Sequence, residues 1–134
     1  MNIKTKEAIE LYNNLEEFIK KDIDLPAQCV WDMEDNSEAL KKVVDKFNNM
    51  SNKMLQPLRD ANAFTALDNG NVKVEKEYVD EFKKVNDELS KFLETDNEID
   101  IKMISRSDLP STLSVKDIRA LRFMVGKDKE PSNK

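Results

Sequence analysis

One apolar stripe constrains this chain more than any other feature. Val30, Met33, Ser37, Leu40, Val44, Phe47, Ser51, Met54, Leu58, Ala61 and Thr65 follow one another in alternating three- and four-residue steps. That rhythm belongs to an α-helix showing one face to a partner. Val43, Met50, Leu55 and Phe64 widen the stripe beyond a narrow two-stranded seam, which suits packing within a small bundle. As one helix, residues 30–65 would span roughly 54 Å at 1.5 Å per residue. Pro57 lies inside and removes one backbone donor, so a kink or interruption is expected near residues 53–56.

The clearest turn follows. Asp68-Asn69-Gly70-Asn71 holds one of only 2 glycines, and Gly and Asn tolerate positive φ. Beyond it Tyr78, Phe82, Val85, Leu89 and Phe92 repeat the helical step from about Lys76. Two complementary stripes joined by a short turn predict an antiparallel helical hairpin. Burial of Phe82, Leu89 and Phe92 against Phe47, Met54 and Leu58 is expected to be its main stabilising term, at about 1.5–3 kcal/mol for each large side chain.

The flanks are shorter. Met1–Lys4 reads as an edge strand. Ala8, Leu11, Tyr12, Leu15, Phe18 and Ile19 mark a helix with Thr5 as its N-cap, stopping before Leu25-Pro26. Residues 98–103 alternate polar and apolar, the period of a strand with one buried face. Its expected partners are residues 1–4 and, as an option, residues 72–74. Ser114-Val115-Lys116-Asp117 resembles a capping box that opens a short last helix running to Gly126. The predicted fold is mostly α (α+β): a long antiparallel helical hairpin, an N-terminal helix, a two- or three-stranded sheet and a short C-terminal helix. Residues 1–125 form one domain, and 126–134 read as a polar, frayed tail.

Composition narrows function. The 134 residues suit a single core. Charged residues make up 37% and mean hydropathy is −0.69, as in a soluble helical protein. Histidine is absent, which removes Ser-His-Asp triads, Cys-His pairs, HExxH zinc sites and imidazole pH switches. A single cysteine excludes an internal disulfide and any cysteine-cluster metal site, and fits a reducing cytoplasm. The charged N-terminus has no apolar core, so no signal peptide is expected, and no window reaches a membrane span.

The net charge of −5 argues against bulk attraction to nucleic acid. Residues 75–100 carry ten acids and four lysines, a local −6, whereas residues 102–134 carry eight bases and four acids, a local +4. The acidic block reads as a solvated helix face or as a docking surface for a basic partner. The candidate protein-binding residues are Trp31, Glu77, Asp80, Glu81, Asp87, Glu88 and Glu94. Trp31 is the lone tryptophan, it follows a proline break, and aromatic anchors of this kind recur at interfaces.

Other chemistries compete with plainer readings. Cys29 lacks a histidine base and reads as a packing thiol. Asp32, Glu34, Asp35 and Glu38 could pair as an acid–base or cation site, but acids also suit a helix start. Asp68–Asn71 and Asp96-Asn97-Glu98 lack calcium-loop spacing and read as turns. The six methionines fit core filling better than an adaptable groove. Arg106, Lys116, Arg119, Arg122, Lys127 and Lys129 supply an alternative nucleic-acid surface. No catalytic, cofactor or metal residues are assigned.

Three stretches carry a resemblance: the β-like start with its amphipathic helix; the Asp68–Asn71 turn leading through Glu88–Thr95 to the alternating 98–104 segment; and Asp108-Leu109-Pro110 with Leu113-Ser114-Val115 and Ala120–Val125. Their order, over residues 1–125, resembles a family of small uncharacterised proteins of tailed bacteriophages and prophages, chiefly of Gram-positive hosts. The resemblance implies a viral accessory protein acting inside the bacterial cell or in virion assembly. That it is non-enzymatic, binds proteins and could self-associate is expected from the missing catalytic groups, the hairpin, the segregated charge and the width of the 30–65 stripe. Such binding would inhibit a host or defence factor or assist virion or tail assembly. The alternatives are nucleic-acid binding through the basic stretch and carboxylate-dependent hydrolysis.

Overall fold

The computed structural model describes residues 1–126. In chain order it contains β1 (Asn2–Lys4), α1 (Thr5–Ile19), α2 (Ala27–Asp60), β2 (Phe64–Ala66), β3 (Val72–Val74), α3 (Val79–Leu93), β4 (Asp96–Glu98), β5 (Ile104–Ser105), α4 (Val115–Leu121) and β6 (Val125–Gly126). The fold is mostly α with small sheets. Residues 127–134, most of the expected frayed tail, lie outside the described residues, and Gly126 belongs to β6.

The long stripe forms α2, 34 residues in one unbroken helix. The expected interruption at Pro57 does not occur. Pro57 stands exposed in the last turn, where its missing N–H affects a single carbonyl and its ring faces solvent. The helix stops at Asp60 rather than residue 65 because Asn62 takes a left-handed conformation, φ 58°. The Asn62 N–H then donates to the Arg59 carbonyl at 3.0 Å, and the Ala63 N–H to the Leu58 carbonyl at 2.9 Å. This is a Schellman stop, and the apolar residues at its two ends, Leu58 and Ala63, are both buried.

The Asp68–Asn71 turn does not join two helices directly. It closes a β-hairpin in which β2 pairs antiparallel with β3, Phe64 opposite Val74 and Ala66 opposite Val72. Residues 72–74 are thereby taken, and they do not pair with the 98–103 segment. Gly70 provides the positive φ, 85°, and Asn69 Oδ1 accepts from the Asn71 N–H at 3.0 Å. Beyond a 3₁₀ turn at Lys76–Tyr78, α3 returns antiparallel along α2. Phe82 meets Phe64 edge to face at 5.7 Å between centroids, and Phe92 meets Phe47 at 5.9 Å.

The most deeply buried core lies elsewhere than expected. It gathers Ile3, Ala8, Leu15 and Phe18 with Cys29, Met33, Leu40 and Val43, closed by Ile99, Ile104, Leu121 and Met124. The first half of α2 is therefore covered by α1 and the C-terminal segment. In the α2–α3 hairpin Leu58 and Leu89 are buried, while Phe47, Met54, Phe82 and Phe92 remain half-buried. A pair of helices flanked by one thin hairpin cannot seal both sides of its seam. The N-terminal half has a third layer.

Strand placement also shifts. β1 pairs antiparallel with β4, Ile3 opposite Asn97, so the ladder uses residues 96–98 rather than 98–103. The rest of the alternating run leaves the sheet because the Lys102 backbone binds a side chain of α2. Ile104, just beyond the run, pairs in parallel with Val125. Thr5 is the first helical residue and Lys4 the cap; the Lys4 N–H donates to Glu7 Oε1 at 3.3 Å. Ser114 caps α4 as expected, its Oγ accepting from the Asp117 N–H at 3.0 Å. That helix ends at Leu121, and a 3₁₀ turn over Arg122–Met124 precedes β6.

Candidate functional site

α3 turns Phe82, Val85, Leu89 and Phe92 inwards, so the helical period fixes where its acids point. Asp80 and Asp87 stand opposite the buried stripe. Glu81 and Glu88 run along one flank, and Glu77 precedes them in the 3₁₀ turn. All five are exposed, with Lys84 and Lys91 interleaved. Glu88 and Lys91 approach to 3.6 Å, an exposed i,i+3 pair of little energetic weight.

Glu94 differs from these five. Lys6 Nζ lies 2.6 Å and Lys4 Nζ 3.0 Å from its two carboxylate oxygens. The Lys6 hydrogen bond, then that of Lys4, holds the Glu94 carboxyl below the usual carboxylate range, and Glu94 in turn raises Lys4. Glu94 thus ties the end of α3 to the start of α1 rather than standing free for a partner.

Trp31 lies in the first turns of α2 and is 67% exposed. Sixteen residues, about 24 Å of helix, separate it from Phe47, where α3 docks. Trp31 and the acidic face of α3 therefore belong to different parts of the molecule, and the structure does not bring them together. Val30, Met103, Val115 and Ile118 are further exposed apolar side chains outside the α3 region.

The competing candidates disperse. Of the acids near the start of α2, Asp35 pairs with Lys102 and Asp32 accepts from Gln28 Nε2 at 2.9 Å. Glu34 and Glu38 point to solvent. Among the described residues no group of three or more Cys, Asp or Glu side chains is placed to hold a metal ion. Asp96-Asn97-Glu98 is β4, not a turn; Asn97 Nδ2 donates to Thr5 Oγ1 at 3.0 Å and to the Ile3 carbonyl at 3.2 Å. Cys29 is buried, and burial, reinforced by Asp108 and Asp32, pushes its thiol pKa up. Met33 and Met124 are core, whereas Met1, Met50 and Met103 are exposed, so the methionines form no common groove.

Among the basic residues, Arg106, Lys116, Arg119 and Arg122 are exposed, and Lys127 and Lys129 lie outside the described residues. Lys21 of α1 joins this end of the molecule by pairing with Asp117 of α4. Among the described residues no helix is long and apolar enough to cross a membrane.

Asn36 lies off the apolar stripe. It is fully buried, accepts from the Lys102 N–H at 2.7 Å and donates to the Lys102 carbonyl at 2.9 Å. A polar residue directly before the seam position Ser37 was the available signal. Ser37 itself donates to Glu16 Oε2 at 2.8 Å, joining α2 to α1.

No protein-family model matches the sequence, and no curated protein or solved structure matches it.

Proposed function

We propose that this chain is an accessory protein of the bacteriophage type that works by binding another protein rather than by turnover. The exposure of Trp31 on a rigid helix carries the reading. A tryptophan two-thirds in water leaves a large apolar area uncovered, and such residues anchor interfaces when a partner seals them. The acids Glu77, Asp80, Glu81, Asp87 and Glu88 support a second contact region, suited to a basic surface. The partner is a host or defence factor to be inhibited, or a virion or tail component to be assembled.

Co-purification of the tagged chain from infected cells tests the proposal, with Trp31→Ala and Glu77→Lys/Glu81→Lys/Glu88→Lys as comparators. A host protein as main prey supports inhibition, and a capsid or tail protein supports assembly. Loss of that prey with Trp31→Ala is the expected result. Recovery of neither class overturns the reading.

A further inference from the structure

Among the described residues β4 is bonded along one edge, to β1, and its other edge is open. The Met1 ammonium donates to the Ile99 carbonyl and the Ile99 N–H to the Met1 carbonyl, both at 2.9 Å. The Thr5 N–H donates to the Thr95 carbonyl at 3.0 Å, and Ile3 lies opposite Asn97 between these pairs. Bonded and non-bonded pairs alternate along an antiparallel ladder. Residues 95, 97 and 99 therefore spend their backbone groups on β1, and those of Asp96 and Glu98 turn the other way.

A groove of about 530 Å³ runs on that side. Residues 96–100 form one wall, and Ala39, Lys42, Val43 and Lys46 of α2 form the other. No β1 residue lines it, so it follows the open edge. A strand edge facing a helix flank is the geometry that receives an added strand.

The side chains indicate what such a strand would carry. Asp96, Glu98 and Asp100 alternate along the edge and are exposed, with Glu98 also 3.1 Å from the Met1 ammonium. Val43 and Ile99 are buried at the floor, beside half-buried Ala39. Opposite charges across neighbouring strands are favourable. Alternate residues of a guest would meet the carboxylates, and those between would face the floor.

We propose that the open edge of β4 and the facing flank of α2 form a strand-addition site for an extended partner segment alternating basic and small apolar residues. The inference rests on the protein-binding reading above and specifies its mode at a different surface.

The test uses the full chain, labelled with ¹⁵N, and an acetylated, amidated peptide Lys-Val-Lys-Val-Lys-Val-Lys. Two further versions are N-methylated, one on the lysine amides and one on the valine amides. Expected are resonance shifts confined to residues 39–46 and 95–101, with slowed amide exchange at Asp96 and Glu98. One methylated version should bind roughly tenfold or more weakly than the other, because one set of N–H groups faces the edge. Glu98→Pro should weaken the parent peptide, and Ala39→Trp, which fills the groove without touching the ladder, should do the same. Shifts centred on residues 77–91 with both methylated versions binding alike would overturn strand addition and leave the acidic helix as the docking surface. No shift at about 1 mM peptide would also overturn it. The protein-binding reading itself stands or falls separately, on the co-purification.

Discussion

Asn36, in the first third of α2, grips the backbone of Lys102 from both sides, although 66 residues separate them in sequence. The side-chain amide completes the two hydrogen bonds that a neighbouring strand would otherwise supply. The same residue sends Lys102 Nζ outward to Asp35, one position earlier on the helix. Truncating Asn36 would leave the part-buried N–H and carbonyl of Lys102 without their partners. Asn36→Ala should destabilise the protein by roughly 2–4 kcal/mol in urea unfolding. A loss below about 1 kcal/mol would show that water replaces the amide and that the clamp is dispensable.

Asp117 links α4 to α1 through Lys21 and is itself buried. The Lys21 hydrogen bond, followed by that of Ser114, holds its carboxyl below the ordinary value of about 3.9. A carboxyl depressed in the folded state contributes stability that is complete above its unfolded value. That contribution disappears as pH falls through the folded value. Stability measured from pH 7 downward should therefore fall below about pH 4, and Asp117→Asn should flatten this limb. Parallel acid limbs in the two proteins would remove Asp117 as the cause.

Pro57 sits exposed in a helix that continues past it, so its ring serves no packing role. Replacing it restores one backbone bond to the Lys53 carbonyl. Pro57→Ala should stabilise by about 1–3 kcal/mol, offset in part by greater freedom of the unfolded chain. Thermal and urea midpoints should both rise. A fall would mean that the proline shapes the Schellman stop beyond it.

Cys29 is 1% exposed, and its thiol is raised by burial and two nearby acids. At pH 8 the native protein should react with an aromatic disulfide reagent only as fast as it opens, whereas the urea-unfolded chain should react at once. Rapid native labelling would place the thiol at the surface.

Local signals were legible in the residues. The three- and four-residue stripes located α1, α2 and α3. Gly70 located the tight turn, and Ser114 located the start of α4. Each of these depends on neighbours within about four positions, and that is the range over which helix period, capping and turn chemistry act. The acids of α3 were placed on its exposed side by the same reasoning, since the period that buries Leu89 turns Asp80 and Asp87 outward.

What partners each stripe found was settled only by folding. The half of α2 with the tightest packing is decided by where α1 and the 99–124 segment land, and no residue of α2 encodes that alone. Glu94 looks like the other acids of its block until Lys4 and Lys6, about ninety residues earlier, close on it. Trp31 and the acidic face of α3 share a docking chemistry in the sequence, yet a rigid helix keeps them far apart. Backbone propensity and side-chain period are short-range and survive in the linear string. Core membership, ion pairing and the open edge of β4 depend on contacts between distant segments, so they exist only in the folded chain.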